Sequence, residues 1–475
     1  MTTRYLSLLF LVGCERAADI LPGHTRPVLE HDWHHPRELR LAATPFSPAD
    51  PAAALFQATS GVKAFIVPAS ADRIVRLSVA VPLGRLHEAP GEAGAAQLLV
   101  NLITRGREVS LRLADLGAGL DVEQSLDATR VSLDVLPEDW RVGLDLLLGI
   151  VADPDLDPAT IAAYRTGPGY DMPMAGIDGD GFRPKIELAR RVYGYPLAPP
   201  DPGTRVTTAA VRALAARTLG PGRIVLGIGG PVERPEVEAA IETATRAWRP
   251  APPVDRTPTL IEARPPGPKF HTVDVPSLEG WLAIGKVIGP VADADRAPLA
   301  AMAFILSERL NIAAREIRGL TNRDAFLLPE TGSGAGLLQI RTGGRPEAVA
   351  PLVRFSWDEI ERLHHPTEPV IEAELTRAKG WLINAEWRGR LEGSAQASAT
   401  FALEQVRHGG TDRLMQWPRA VEAITVDQVK AIASRTLDPA SLVTVVAGPL
   451  EAIRAARHPR WPIALDDLAP AVSAK

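Results

Sequence analysis

Apolar residues recur along the chain with two periods, and each period predicts a type of secondary structure. Alternation of apolar and polar residues predicts strands at 62–67, 74–81, 121–124 and 129–135. We expect the first two strands to pair through a turn at residues 70–73. Helical spacing predicts a helix that begins near Gly94 and a second one over residues 140–151. A hairpin and a helix followed by strands and more helices predict an α+β layer fold.

An internal repeat gives the organisation of the chain. Residues 206–231 align without a gap to residues 424–449, with roughly 40% identity over about 26 positions. Both copies predict a helix, a proline-bearing turn and a strand that ends at a glycine. Such a match indicates a duplicated domain. The proline-dense segment at 249–268 is typical of a semi-rigid linker between the copies.

Composition narrows the class of protein. The 475 residues are 46% hydrophobic and 23% charged, as in ordinary globular proteins, and are enough for two or three domains. The formal net charge is −5, and the two signs are mixed throughout. Because there is no basic stripe, neither nucleic acid nor an anionic membrane surface is implied as a partner.

The first fourteen residues resemble a bacterial lipoprotein signal. A short apolar run over residues 5–12 is followed by Gly13 and Cys14, the only cysteine of the sequence. Leu11 to Cys14 resemble a lipobox, in which the cysteine carries the lipid, and residues 15–54 then form a tether. This predicts a periplasm-facing lipoprotein of the bacterial cell envelope. The alternative is a mis-assigned start, which would make the protein cytoplasmic. We expect no later segment to be apolar for long enough to span a bilayer.

The helix after Gly94 lacks a set of residues that zinc chemistry would need. In the pattern H-x-x-E-H, two histidines on one helical face bind zinc and the glutamate activates a water. This chain has Q-L-L-V-N in that register, with Gln97, Val100 and Asn101 at the three positions. Amide oxygens are weak zinc ligands, and a valine cannot accept a proton. The alternative is that Gln97 and Asn101 are ordinary polar residues of an amphipathic helix.

Residues around this helix resemble the pitrilysin/insulinase family of zinc peptidases, which includes the mitochondrial processing peptidases. The matching residues of the first half are Gly84, Glu88, Gly94, Ala96 and Gly106. Residues 307–322 resemble the family's S-R-L-x-x-x-x-R-E-x-x-G-L-A-Y, with matches at Arg309, Leu310, Arg315, Glu316, Gly319 and Leu320. The resemblance covers nearly all of the chain after residue 55.

The resemblance implies two tandem homologous domains, each a mostly antiparallel sheet with helices packed on one face. They would span residues 55–250 and 269–450, with a signal at 1–14, a tether at 15–54, a linker at 251–268 and a tail at 451–475. The third zinc ligand of active members is a glutamate of a later helix, and the corresponding window, 164–182, contains none. Asp178 and Asp180 in that window resemble only a fragment of a calcium loop.

For function, the resemblance implies a member without catalysis of its own. It would have no metal or other cofactor, and zinc would be held by a homologous partner subunit in a heterodimer that encloses an unfolded peptide. In two-subunit members, an arginine and a tyrosine of the non-catalytic subunit hold the peptide backbone. Arg309 and Asn322 stand at these positions, with asparagine in place of tyrosine. A salt bridge is the alternative role of Arg309.

Two other functions remain open at this point. One is a cell-envelope module that binds peptides or proteins independently of any peptidase, which the replacement at Asn322 favours. The other is an active zinc peptidase with displaced ligands. Where Cys14 carries a lipid, that lipid would be the only attachment to a membrane.

Overall fold

The computed structural model describes residues 46–105, 107–152, 154–166, 187–188, 190–191, 206–248, 269–322, 326–330, 336–365, 370 and 372–473. Residues from Pro48 onward form one compact unit. Cys14, Asp178, Asp180 and the linker lie outside the described residues, as does most of the window predicted to lack the third zinc ligand.

The described residues of the first half form a six-stranded sheet in the order β1-β2-β6-β3-β5-β4. Its strands are β1 Leu55–Gln57, β2 Lys63–Pro68, β3 Val75–Val81, β4 Leu120–Gln124, β5 Thr129–Val135 and β6 Val225–Gly230. Neighbouring strands are antiparallel, except that β2 runs parallel to β6. The helices are α1 Pro51–Ala54, α2 Ala95–Arg105, α3 Arg107–Asp115, α4 Trp140–Ala152, α5 Pro158–Thr166, α6 Thr208–Thr218 and α7 Arg234–Thr245.

In the second half, the described residues form a five-stranded sheet in the order β7-β11-β8-β10-β9. The strands are β7 Phe270–Asp274, β8 Gly280–Ile288, β9 Phe326–Glu330, β10 Gly336–Gly344 and β11 Val443–Gly448, with β7 and β11 parallel. The helices are α8 Asp293–Leu310, α9 Pro346–His364, α10 Glu372–Trp381, α11 Arg388–Leu391, α12 Ser394–His408, α13 Asp412–Glu422, α14 Val426–Thr436, α15 Leu450–Ala455 and α16 Leu465–Ser473. The π-helical segments Asn311–Glu316 and Leu382–Trp387 continue α8 and α10. The predicted α+β class is confirmed.

Both copies of the repeat have the predicted helix, turn and strand. α6 and β6 come from the first copy, and α14 and β11 from the second. The hydroxyl of Thr207 caps α6 and that of Thr425 caps α14. Each repeat strand lies between one parallel and one antiparallel neighbour, so the copies occupy equivalent places in their sheets. Duplication of an ancestral domain stays a prediction from the sequence.

Two expectations from the sequence are corrected by the structure. The strands predicted at 62–67 and 74–81 are present but do not pair, because β6 lies between them. β6 is buried along its whole length, as a central strand must be, and comes from a distant part of the chain. The predicted tail at 451–475 instead contains α15 and α16, whose residues Ile453, Leu465 and Leu468 are buried in the core of the second half.

A helical run of the second half also departs from expectation. Asp293–Glu316, which is α8 with its π-helical continuation, is long and apolar enough to cross a membrane by length and composition. The expectation that no such segment exists is therefore wrong by this criterion. Of its most apolar window, 61% is buried inside the fold. Burial of that kind is typical of a core helix.

Alternation along the strands sorts the first sheet into two faces. Ile66, Leu77, Leu133 and Leu226 point to one side, where α2, α4, α6 and α7 complete a single apolar core. This is the predicted layer of helices on one face. A second core of the same construction lies between the other sheet and α8, α9 and α14.

The opposite face of the first sheet carries small residues and is covered by α12 of the second half. At Gly227 an added Cβ would lie 2.5 Å from the carbonyl oxygen of Ser398, and one at Gly229 would meet the carbonyl oxygen of Ser394. The helix backbone therefore rests directly on the backbone of β6. Phe65 and Phe401 pack beside this contact, with ring centroids 5.6 Å apart.

A reciprocal contact joins the first half to the second sheet. Leu188 of the first half is fully buried against Ala283 and Val445, on the side of that sheet away from its own core. α12 thus covers the second face of the first sheet, and Leu188 contacts the second face of the other. Residues of each half therefore help to bury the sheet of the other.

We predict that Gly227→Ala destabilises the protein by about 1–3 kcal/mol, because the new methyl group would push α12 off β6. The matched control is Gly149→Ala in α4, where an added Cβ meets nothing within 4 Å. That change should be neutral or stabilising by up to about 1 kcal/mol. Urea and thermal unfolding of both variants measure the difference. Equal midpoints would contradict the close backbone contact.

Candidate functional site

The three positions that would hold a zinc site lie on α2. Gln97 is exposed, Val100 is 4% exposed within the apolar core, and Asn101 is 9% exposed. Gln97 and Asn101 are four residues apart and share a helical face. The helix that would carry zinc ligands is therefore formed, but its donors are two amides and no imidazole. This donor set does not fit zinc.

Glu88 supports the start of this helix. Its buried carboxylate accepts a hydrogen bond of 2.7 Å from the backbone N–H of Ala96. Gly91 and Gly94 both have a φ of +88°, which allows the chain to turn between Glu88 and the helix. The carboxylate thus satisfies a backbone donor that the first turn of a helix leaves without an intrahelical partner.

The environment of Glu88 changes its protonation. Burial raises the pKa of its carboxyl from 4.5 to about 7, against the opposing effect of hydrogen bonds from Ala96 and Gly94. Near neutral pH this group therefore exchanges a proton beside the helix that lacks the zinc donors.

A second carboxylate clamps the segment before α2. Arg217 of α6 donates to Glu92 Oε1 at 2.9 Å and to the carbonyl of His87 at 3.1 Å, and it also contacts Glu92 Oε2. Burial acts to raise the pKa of Glu92, but hydrogen bonds from Arg217 and from the N–H of Ala89 hold that pKa below its ordinary value. Arg435, the repeat counterpart of Arg217, pairs with Asp295 at 2.8 Å in the first turn of α8. Both arginines of the repeat thus pair with a carboxylate at or just before the start of a helix, α2 in one case and α8 in the other.

α12 also reaches this region. Asp127, in the turn between β4 and β5, is buried, and its carboxylate accepts a hydrogen bond of 3.1 Å from Arg407 Nε. The carbonyl oxygen of Asp127 lies 2.8 Å from His87 Nε2. A continuous set of contacts therefore runs from the second half to the segment that leads into α2.

No group of three or more His, Cys, Asp or Glu side chains that could hold a metal ion occurs among the described residues. The window predicted to lack the third zinc ligand falls mainly on residues 167–182, outside that part of the chain. The residues that can be placed therefore give no donor set to complement Gln97 and Asn101.

The two predicted substrate-binding residues, Arg309 and Asn322, differ in their exposure and in their partners. Arg309 donates two hydrogen bonds, of 2.7 and 2.8 Å, to the two carboxylate oxygens of Glu374. The side chains of Arg309 and Glu374 are only 14% and 9% exposed. Arg309 therefore joins α8 to α10, which was the alternative role for it. Asn322 is exposed at the end of a described range.

The expectations from the sequence name Arg315 as a residue of the same motif but give it no functional role. It is on the π-helical segment after α8, with its side chain 43% exposed and Nε 3.4 Å from a carboxylate oxygen of Glu316. It precedes Asn322 by seven residues. Its place in the motif R-E-x-x-G-L singles out Arg315 in the sequence. The motif alone does not reveal that its side chain is exposed.

Comparison with known proteins agrees with this architecture. Residues 205–380 match the family model described as peptidase M16 inactive domain. No curated protein matches the chain.

Solved structures share the fold over most of the chain. The peptidase M16 inactive domain from Pseudomonas fluorescens superposes with a TM-score of 0.67 at 22% identity, covering 85% of this chain and 98% of that one. A protease from Helicobacter pylori gives 0.68 at 17%, covering 83% and 99%. A protein described as an M16-like peptidase from Alicyclobacillus acidocaldarius gives 0.66 at 17%, covering 86% and 99%. At these identities the likeness establishes the fold.

We predict that Glu88→Gln changes how stability depends on pH. The folded-state pKa is raised, so the contribution of Glu88 to stability is full below about pH 4.5 and is lost as pH rises through 7. The wild type should therefore lose on the order of 3 kcal/mol relative to Glu88→Gln over this range. Thermal unfolding at several pH values tests this, with the exposed Glu108→Gln as control. Parallel pH profiles for wild type and Glu88→Gln would contradict the prediction.

A second prediction separates the two arginines of the motif. Arg309→Gln should destabilise the protein by about 3 kcal/mol, because it leaves the buried carboxylate of Glu374 without its ion pair. Arg315→Gln should change stability by less than about 0.5 kcal/mol, because its side chain is exposed. Urea unfolding of the two variants measures both effects, and similar losses in both would refute the distinction.

Proposed function

We propose that this chain, whose residues 205–380 match the peptidase M16 inactive domain and whose sequence resembles the pitrilysin/insulinase family, is the non-catalytic subunit of a two-chain zinc peptidase. A zinc-bearing homologue would supply the metal, the base and the attacking water. This chain would contribute a wall of the chamber and contacts that hold an unfolded peptide.

One observation carries the proposal. The helix that would bear zinc ligands is intact, with Glu88 at its start and the clamp of Arg217 on Glu92, yet Gln97, Val100 and Asn101 offer no zinc donor set. A helix that is formed but lacks zinc ligands is expected when a subunit no longer catalyses the reaction but still forms part of the wall of the reaction chamber. An enclosed site excludes water and positions the substrate, and a chain can do both without a metal.

Arg315 is the residue that we assign to peptide contact. Its side chain is 43% exposed, compared with 14% for that of Arg309. A guanidinium can donate hydrogen bonds to a peptide carbonyl and stabilise charge that develops on it. Asn322 has a shorter side chain than tyrosine and adds an amide donor rather than a phenol.

A second candidate is a module that binds peptides without serving any peptidase. The ion pair of Arg309 with Glu374 and the asparagine at 322 favour it, since neither residue of the predicted pair then resembles that of a supporting subunit. Such a module would bind unfolded peptides but would not change the activity of a zinc-bearing homologue.

We expect this chain and a zinc-bearing homologue from the same cell to hydrolyse an unstructured peptide together, and neither to do so alone. Arg315→Gln should lower kcat/KM of the mixture about tenfold, because one donor to the substrate is lost. Arg354→Gln, which removes another exposed arginine, should leave the activity unchanged. Full activity of the homologue alone would exclude a supporting role. Stoichiometric zinc and hydrolysis by this chain alone would instead indicate an active peptidase with displaced ligands.

A further inference from the structure

Charged side chains from three helices of the second half meet at one place. Arg296 is in the first turn of α8, Arg413 is in the first turn of α13, and His408 ends α12. Arg413 lies 3.0 Å from Asp293 Oδ1 and 3.2 Å from His408 Nδ1. Arg296 Nε lies 3.2 Å from the same Asp293 oxygen. We call Arg296 and Arg413 the arginine pair.

The positive charge of the arginine pair is only partly balanced by nearby carboxylates. Its two guanidinium groups share the carboxylate of Asp293, which is 69% exposed and therefore well screened by solvent. Arg296 Nε is buried and, although it lies 3.2 Å from Asp293 Oδ1, makes no well-aligned hydrogen bond with any described residue. The neighbouring carboxylate of Glu404 is bound to Arg390 at 2.5 Å. One positive charge of the arginine pair is thus left without a dedicated partner.

Burial is the main cause of two lowered pKa values beside the arginine pair, and neighbouring arginines add to it. Burial lowers the pKa of Arg296, and the charge of Arg413 lowers it further. Burial also lowers the pKa of His408 to about 4, with Arg407, Arg413 and Arg296 adding to the shift against the opposing charge of Glu404. The imidazole is therefore neutral near pH 7, and its Nδ1 accepts the hydrogen bond from Arg413.

The arginine pair is connected to the segment that leads into α2. Arg407 precedes His408 on α12, and its guanidinium binds the carboxylate of Asp127. Asp127 in turn contacts His87, three residues after Gly84 and just before Glu88. A ligand held by the arginine pair would therefore lie next to Arg407, whose partner Asp127 contacts the segment that leads into α2.

We propose that the arginine pair binds a carboxylate of the peptide held by this chain, an inference that rests on the proposed function. Guanidinium groups form charge-assisted and often bidentate hydrogen bonds with carboxylates. The side chains of Arg296 and Arg413 are 22% and 44% exposed, so an incoming group can reach them. The carboxylate is supplied either by the C-terminus of the peptide or by an acidic side chain, and the two sources have the same chemistry.

The test uses the full chain and three unstructured peptides of one neutral sequence. The first has an amidated C-terminus, the second a free C-terminus, and the third an amidated C-terminus with one internal glutamate. Isothermal titration calorimetry at low salt should give about tenfold tighter binding for at least one carboxylate-bearing peptide than for the first. Which of the two binds more tightly identifies the source. Equal affinities for all three peptides would overturn the proposal.

Arg296→Gln should abolish this preference, and Arg377→Gln should retain it. Arg377 is an exposed arginine paired with Glu308, near the opposite end of α8. A preference that persists in Arg296→Gln would also overturn the proposal. If Arg296→Gln does not fold, the pKa of His408 in the wild type is measured by NMR with and without peptide instead. A bound carboxylate should raise the pKa of His408, and an unchanged pKa at saturating peptide would refute the site.

Failure of this proposal is distinguishable from failure of the proposed function. A carboxylate preference without any effect on a zinc-bearing homologue would leave the site in place and support the binding module. Joint hydrolysis without a carboxylate preference would leave the supporting subunit in place and remove the site.

Discussion

The contact between the backbone of α12 and the backbone of β6 is the constraint on which the rest of the structure depends. Gly227 and Gly229 leave room for the carbonyls of Ser398 and Ser394, and no larger residue fits there without movement. The first sheet consequently obtains its second layer from the second half of the chain. Through Arg407 and Asp127 the same helix also supports the segment that leads into α2.

The place of α2 in the first half depends on interactions of this chain alone. Glu88 and the Arg217 clamp serve the start of α2, and apolar side chains such as Leu98 and Leu102 bury its other face. None of these interactions needs a metal. Gln97, Val100 and Asn101 therefore stand on a helix whose position requires no metal ligand.

Much of the fold could be predicted from local pattern. The strand at 129–135 follows from alternation, and the beginning of α2 follows from Gly94 and the helical spacing after it. The place of β6 between β2 and β3 could not be predicted, because strand pairing across a long sequence separation has no local signal. The packing of α12 on the first sheet could not be predicted either, because small residues, rather than an apolar stripe, form its contact surface.

The candidate site was predictable only in part. The altered ligand positions can be identified from residue types and spacing, since donor chemistry is a property of the side chain. The ion pair of Arg309 with Glu374 could not be predicted from the sequence, because the two residues come from different helices and their pairing depends on tertiary packing. The tail provides a similar case: Leu465 and Leu468 become core residues only when α9 and β7 are present to cover them.

The most direct test of the central claim is native mass spectrometry of this chain after purification from its source cell under native conditions. The account predicts one copy of this chain, one homologous chain and one zinc ion, with the zinc remaining on the homologue when the two are separated. Zinc bound stoichiometrically to this chain after separation would contradict it.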